Sequence, residues 1–198
     1  MIIEFLKLRF IIRRPIVWLG QDIYELTLRL VEPTRLITLV YPSGYHPRTY
    51  TGNDNDEIVE LFNQCGFHFS DVRLAEALNM CIPDGVHLIE HTETGRLVSI
   101  MMSRHLPSKE FPFGGRIDWL ATDQNHRGKG LGRLSAAMAT KHLIERGYTN
   151  VWVTTQPYRL PAIRIFNSLG FVPTQKTLVS YDWPVIARSI DLSPNDNN

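Results

Sequence analysis

The chain has 198 residues, of which 43% are apolar and 21% are charged, which is the mixture of an ordinary globular protein. The length suffices for one domain with a sizeable core and argues against a disordered, collagenous or coiled-coil chain. Lysine plus arginine (21) nearly balances aspartate plus glutamate (20), so the net charge is +1. A net charge this close to zero gives no long-range electrostatic attraction to polyanions, so we expect neither nucleic acid nor a membrane as a partner.

We expect no targeting signal in the amino-terminal residues. Charged residues and a proline interrupt the apolar patches of residues 1–20. A transmembrane helix needs about 20 mostly uncharged residues, and a signal peptide needs an unbroken apolar centre of roughly 7–15 residues. Cys65 and Cys81 are too few for a disulfide scaffold and lack the spacing of a metal-binding pair. We therefore expect a cytoplasmic protein with reduced thiols.

The first half of the chain predicts short strands, two helices and a hairpin. In chain order, we expect strands at residues 24–31, 36–41 and 48–51, helices at 53–62 and 70–80, and strands at 86–91 and 96–104. The two helices begin at Asx residues and at Ser70, whose side chains can accept hydrogen bonds from first-turn amides. The last two strands flank Thr92-Glu93-Thr94-Gly95, which is a good hairpin turn.

The second half alternates strands and helices. We expect a strand at residues 115–122, a helix at 130–146, a strand at 151–155, a helix at 161–169 and a last strand at 176–182. Gly147 stands where a left-handed residue ends the longest helix. Pro161 opens the next helix and Gly170 closes it. This order predicts a mixed α/β domain built around one sheet.

The segment at residues 119–133 carries the chemistry, because a strand ends there, a glycine-rich loop follows and a helix begins. The segment holds the glycines Gly128, Gly130 and Gly132 and the cations Arg127, Lys129 and Arg133. Glycines at alternate positions remove the Cβ atoms where a ligand could approach the backbone. The free amides at the helix start, together with the helix dipole, make a site for an anion such as a phosphate.

Two common nucleotide-binding motifs do not fit this loop. A Walker A motif needs a serine or threonine after its Gly-Lys pair, but Gly128-Lys129 is followed by Gly130. The dinucleotide fingerprint needs a third glycine, and that place is taken by Arg133 or by Ser135 in the two alignments that begin on the loop glycines. The anion site therefore belongs to another class.

The loop does match Gln/Arg-x-x-Gly-x-Gly/Ala, as Arg127-Gly128-Lys129-Gly130-Leu131-Gly132. A second motif follows downstream as Ala162-Ile163-Arg164-Ile165-Phe166-Asn167-Ser168-Leu169-Gly170-Phe171. Together the two motifs closely resemble the GNAT-type N-acetyltransferase superfamily. The resemblance implies a GNAT-like mixed, mostly antiparallel central sheet with two splayed parallel strands, at 116–122 and 151–155, and flanking helices. It implies an acyl-CoA-dependent N-acetyltransferase-like domain (46–192) that follows an amino-terminal extension (1–45). The polar composition of residues 193–198 predicts a disordered tail.

The resemblance also implies a binding mode for acetyl-CoA as acyl donor, with no metal. The diphosphate would lie on the amides of the glycine loop, and the pantetheine arm would pair with the first splayed strand. The implied contacts are Leu120, Ala121, Thr122, Arg127, Gly128, Lys129, Gly130, Leu131, Gly132, Arg133 and Arg159. An acceptor amine would attack the thioester directly, and the backbone N–H of Leu120 would stabilise the oxyanion.

The acid and base of the reaction depart from the family pattern. Many members carry a tyrosine as acid at the place of Phe166, and an asparagine that contacts pantetheine at the place of Arg159. A glutamate often serves as base, and Arg116 or Asp118 stands near its place. We choose Asp118 as base, because period-two spacing puts it on the same strand face as Leu120. Tyr158 has the chemistry of a substitute acid, although a thiolate can also leave without being protonated.

The sequence leaves the acceptor open. We expect transfer of an acetyl group to a primary amine of a small molecule or peptide, with a non-catalytic acyl-CoA-binding or regulatory module as the alternative. A longer acyl chain also stays open, as do the role of residues 1–45, which could add strands or a dimer contact, and a homodimer. His87-Leu88-Ile89-Glu90-His91 matches a zinc-protease pattern, but on a strand its two histidines would lie roughly 13 Å apart, so we predict no metal.

Overall fold

The computed structural model describes residues 26–32 and 37–190, and the side chain of Val179 is left out. The predictions for residues 1–25 and for the tail at 193–198 lie outside the described residues. The described strands are β1 (Leu26–Leu30), β2 (Tyr45–Thr49), β3 (Cys81–His91), β4 (Leu97–His105), β5 (Gly114–Thr122), β6 (Asn150–Thr155) and β7 (Phe171–Pro173). The described helices are α1 (Asn55–Gln64), α2 (Asp71–Asn79), α3 (Leu131–Glu145), α4 (Leu160–Ser168), α5 (Gln175–Ser180) and α6 (Trp183–Ser189).

The chain forms two compact units, and the larger one comprises residues 33–151. Within it, β2, β3, β4 and β5 pair in that order, each antiparallel to the next. Two apolar clusters cover opposite faces of this sheet, because Leu88 and the adjacent Ile89 belong to different clusters. The first cluster includes residues of α1 and α2, and the second includes Leu131 and Leu134 of α3. The sheet therefore has α1 and α2 on one face and α3 on the other.

The described residues of the smaller unit are 26–32 and 152–190. Strand β1 pairs antiparallel with β6 on one side and with β7 on the other. The hydroxyl of Thr177 in α5 accepts from the Thr27 amide at 2.9 Å and donates to the Thr27 carbonyl at 2.9 Å. This double contact fixes α5 on the backbone of β1.

The predicted fold class is confirmed: the protein is a mixed α/β fold of mostly antiparallel strands with flanking helices. The two strands predicted to splay are present as β5 and β6. The helices predicted from caps and periodicity are present as α1 to α4. Ser70 caps α2 by accepting from the Arg73 amide, and Gly147 has the predicted left-handed φ of +85°.

Two of the predicted strands are wrong. Residues 176–182 were expected to be a strand, but they contribute to α5 because the Thr174 hydroxyl accepts from the Thr177 amide and starts a helix. Residues 37–41, the described part of the strand expected at 36–41, have no regular structure. Both predictions were based on β-branched residues. Strand propensity depends on context, so such residues alone do not establish a strand.

Candidate functional site

A β-bulge interrupts β5 just before the glycine loop. Asp118 pairs with Met102 and Ala121 pairs with Ile100, so Trp119 and Leu120 together lie opposite Met101. Trp119 has a φ of +60°, which is a strained conformation for a bulky residue. A bulge leaves backbone groups of its extra residue outside the ladder. The end of β5 therefore offers backbone hydrogen-bonding groups to a ligand.

Aromatic packing holds the bulge in place. The ring of Trp119 lies 4.8 Å from that of Phe69 and 6.3 Å from that of Phe62, measured between centroids. The guanidinium of Arg73 lies over the Trp119 ring at 5.1 Å. The Trp119 Nε1 atom is buried, and it has no hydrogen-bond partner in the part of the chain that the structure describes. The ring contacts with the two phenylalanines and Arg73 stabilise the strained backbone, whereas the unpartnered Nε1–H adds a cost.

The bulge corrects one argument made from the sequence. Met102 and Ile100 are two residues apart on β4 and share a face, so their partners Asp118 and Ala121 also share a face. Alternation within 120–121 then puts Leu120 on the other face. The expectation that Asp118 and Leu120 lie on the same face is therefore wrong, because the extra residue shifts the alternation by one.

Asp118 is held between two arginines. Its Oδ2 accepts from Arg104 Nη1 at 2.5 Å and its Oδ1 accepts from Arg116 Nε at 2.7 Å. Asp118 and Arg104 are each 6% exposed. Burial raises the pKa of the Asp118 carboxyl above its ordinary value, and the two guanidinium groups oppose that shift. Both carboxylate oxygens thus already have partners, and a base role requires an additional contact at one of them.

The glycine loop leaves the start of α3 open. Gly128 and Gly130 have φ values of +76° and +82°, and an added Cβ at either would meet no heavy atom within 4 Å. Gly130 is the N-cap residue of α3 and, as a glycine, offers no side chain to its first-turn amides. An anion could therefore approach these amides along the positive end of the helix dipole.

Protein contacts fix the side chains around the loop. Arg127 Nε donates to the Thr122 carbonyl at 3.1 Å, and Lys129 Nζ donates to Tyr45 Oη at 2.8 Å. Tyr45 Oη also contacts His126 Nδ1 at 2.9 Å. Leu131 is buried among the apolar residues beneath α3, so a ligand contact at this position would come from its amide. Sequence reasoning missed Tyr45, since only tertiary pairing brings β2 to the loop.

Tyr158, Arg159 and Phe166 belong to the smaller unit. Tyr158 is 49% exposed and lies in the turn before α4, and Arg159 is the N-cap residue of that helix. Phe166 is 2% exposed and its ring lies 6.0 Å from that of Phe171. Phe166 is therefore a core residue.

The zinc-protease pattern lies on β3. The His87 ring is buried and its Nε2 contacts Ser103 Oγ at 2.8 Å, and burial lowers its pKa to about 3. Among the described residues, no group of histidine, cysteine, aspartate and glutamate side chains is arranged to hold a metal. Cys65 and Cys81 are free thiols. Within the same residues, no helix is both long and apolar enough to cross a membrane.

The loop, the bulged strand and the fold define a class of protein. The model of the Acetyltransferase (GNAT) family matches residues 53–171, which is more than half of the chain. The chain belongs to the GNAT acetyltransferase family.

The curated relatives it matches include mycothiol acetyltransferases. That of Nocardia farcinica is 28% identical over 163 residues, which are 78% of this chain and 54% of the relative. That of Saccharomonospora viridis is 29% identical over 153 residues, which are 71% of this chain and 49% of the relative. The chain therefore spans about half the length of these relatives.

The solved structures it matches share the fold. A GCN5-related N-acetyltransferase from Sphaerobacter thermophilus aligns with a TM-score of 0.58 at 15% sequence identity, over 87% of this chain and 53% of that one. At this identity the match shows the fold alone.

Proposed function

We propose that the chain binds acetyl-CoA at the glycine loop and transfers the acetyl group to a primary amine. The observation that carries the proposal is the sequence of openings along one path: the bulge at Trp119 and Leu120, the space above Gly128 and Gly130, and the uncapped start of α3. Family members use acetyl-CoA as cosubstrate, and this arrangement fits both its diphosphate and its extended arm.

Backbone groups would do most of the binding. The amides of residues 127–132 would hold the diphosphate, and the family resemblance adds the cations Arg127, Lys129, Arg133 and Arg159 to the site. Leu120, Ala121 and Thr122 would align the pantetheine arm. Lys129 would reach a phosphate only by leaving Tyr45, so we assign its first contact to its amide.

The reaction would be a direct acyl transfer. The amine nitrogen attacks the thioester carbon, the carbonyl oxygen becomes negative, and the C–S bond then breaks and releases the thiolate. We assign stabilisation of the oxyanion to the Leu120 N–H at the bulge, and one such donor is typically worth about 10²–10³ in rate. Binding of both reactants also removes much of the entropic barrier.

The amine proton needs an acceptor. We keep Asp118 as the proposed base, acting through water from within its arginine pair, and Tyr158 as the proposed acid. The alternative function, a non-catalytic acyl-CoA-binding or regulatory module, is favoured by one observation: both Asp118 oxygens are already bound by arginines. Turnover with an amine distinguishes the two functions.

The acceptor is proposed by class. A small-molecule or peptide amine fits the family, and amines related to mycothiol are the first to test, since two relatives carry that name. The cytoplasmic location, the homodimer and the absence of nucleic acid and membrane partners stay predictions from the sequence.

The first experiment is a thermal melt with acetyl-CoA, CoA, ATP and NAD in parallel. A ligand at about 100 times its Kd adds about 2.7 kcal/mol to the folded state, which for a chain of this length is a shift of roughly 5–11 °C. We expect a shift with the two CoA species and none with ATP or NAD. No shift with the CoA species would refute the binding proposal. Release of free thiol from acetyl-CoA in the presence of an amine panel then separates transferase from binding module.

A further inference from the structure

A buried hydroxyl connects the end of β5 to α3. The Oγ of Ser99 in β4 lies 3.0 Å from the Ala121 carbonyl oxygen, 2.9 Å from Thr122 Oγ1 and 2.9 Å from Ser135 Oγ. Ser99 and Ser135 are fully buried, whereas Thr122 is partly exposed. Ser99 thus contacts both elements that the glycine loop joins.

The hydrogens of this cluster have one consistent arrangement. A serine hydroxyl has one hydrogen and two acceptor lone pairs, and a carbonyl oxygen can only accept. Ser99 therefore donates to the Ala121 carbonyl and accepts from Thr122 and Ser135. The Thr122 hydroxyl has then used its hydrogen, and its oxygen presents lone pairs alone to its surroundings.

The main-chain oxygen of Thr122 is already in use. It accepts from Arg127 Nε at 3.1 Å and from Cys65 Sγ at 3.4 Å. The side-chain oxygen is therefore the acceptor that this residue has left at the end of β5.

We propose that Ser99 is a positioning residue that makes Thr122 Oγ1 an acceptor for an amide N–H of the pantetheine arm. The inference rests on the proposed function, since it requires that arm to pass the end of β5. A fixed acceptor attracts an N–H and repels a phosphate oxygen. Thr122 therefore marks the boundary between the amide-bearing pantetheine arm and the diphosphate. Through this contact, Ser99 sets the position of the CoA molecule along β5.

The test compares two ligands by isothermal titration calorimetry. CoA carries the pantetheine arm, and 3′-phosphoadenosine 5′-diphosphate carries the same phosphates without it. Thr122→Val should weaken CoA binding by about 3- to 10-fold, the effect of one hydrogen bond, and leave the fragment unchanged. Thr122→Ser, which keeps the hydroxyl, should bind both ligands as the wild type does.

The Ser99 variant tests the positioning role. Ser99→Ala should lower the CoA-to-fragment affinity ratio by about 3- to 10-fold. In the Thr122→Val background it should lower the ratio no further, because both changes remove one interaction. Thr140→Val is the matched control: it removes another fully buried hydroxyl, bonded to the Ala136 carbonyl within α3, and should leave the ratio unchanged.

The possible results distinguish a failure of the inference from a failure of the proposed function. An unchanged ratio in Thr122→Val, a variant at a partly exposed site, overturns the inference, while wild-type CoA binding upholds the binding part of the proposed function. Losses that add in the double variant also overturn it, because Ser99 then does not act through Thr122. A wild type that binds neither ligand refutes the proposed function and the inference with it.

Discussion

Gly130 and Gly147 offer a matched pair of substitutions for testing the glycine loop. Their φ values are +82° and +85°, and an added Cβ at either would meet no heavy atom within 4 Å. Gly130 precedes α3, whereas Gly147 follows its carboxyl end. Alanine at either position should therefore cost a similar backbone strain, about 1–2 kcal/mol.

Ligand binding should separate the two variants. Gly130→Ala places a methyl group where we propose that the diphosphate approaches the first amides of α3. Losing one hydrogen bond to a charged group costs about 1.5–3 kcal/mol, which corresponds to about a 10- to 150-fold higher Kd. Gly147→Ala should leave the Kd unchanged.

Two measurements check this prediction. Urea unfolding should show a similar loss of stability in both variants, and calorimetry with acetyl-CoA should show weaker binding in Gly130→Ala alone. An equal Kd in both variants, with the strain confirmed by unfolding, would refute the assignment of the loop as the diphosphate site.

Three other predictions concern titratable groups. Asp118→Asn leaves two guanidinium groups without their carboxylate, so the free energy of unfolding should fall by about 3–5 kcal/mol in urea titrations. If Asp118 is the base, the same variant should lose less turnover at high pH than at neutral pH. An unchanged pH–rate profile would reject that role. The pKa of His87 is lowered to about 3 by burial, so the folded state stays neutral while the unfolded state binds a proton below about pH 6.5. Stability should therefore fall by about 2 kcal/mol between pH 7 and 5, and His87→Gln should remove that part of the fall. Burial raises the pKa of Asp54, but the contacts with Thr51 and Arg48 outweigh burial and lower it below its ordinary value. The ionised Asp54 therefore stabilises the fold at neutral pH, and this stability is lost in acid. Arg48→Met should reduce that acid-sensitive part of the free energy of unfolding, and equal acid titrations of variant and wild type would contradict it.

Sequence motifs predicted those parts of the site that neighbouring residues determine, namely the glycine loop and the start of α3. A helix start is set by residues adjacent in sequence, and alternating glycines before an apolar helix are visible without a structure. The family resemblance and the mixed α/β order rested on such segments. Ser70 and Gly147 took their predicted conformations for the same reason.

The site features that sequence reasoning missed are set by pairing between distant segments. The bulge in β5 depends on how many residues β4 places opposite it, and Asp118-Trp119-Leu120-Ala121 gives no local sign of it. The partner of Asp118, Arg104, is 14 residues away and reaches it across the β4–β5 ladder. A face assignment from alternation fails wherever a strand gains one residue.

The described part of the site presents few free side-chain acceptors or donors to a ligand. Arg127, Lys129 and Asp118 all bind protein partners. What remains open is backbone, at the bulge and at the start of α3, together with the hydroxyl of Thr122. Strained or glycine-dependent conformations make that backbone available: Trp119 at +60°, Gly128 at +76° and Gly130 at +82°. If backbone groups bind the acyl donor as we propose, the phenylalanine at position 166 is compatible with an acetyl-CoA site, because that binding does not depend on the side chain there.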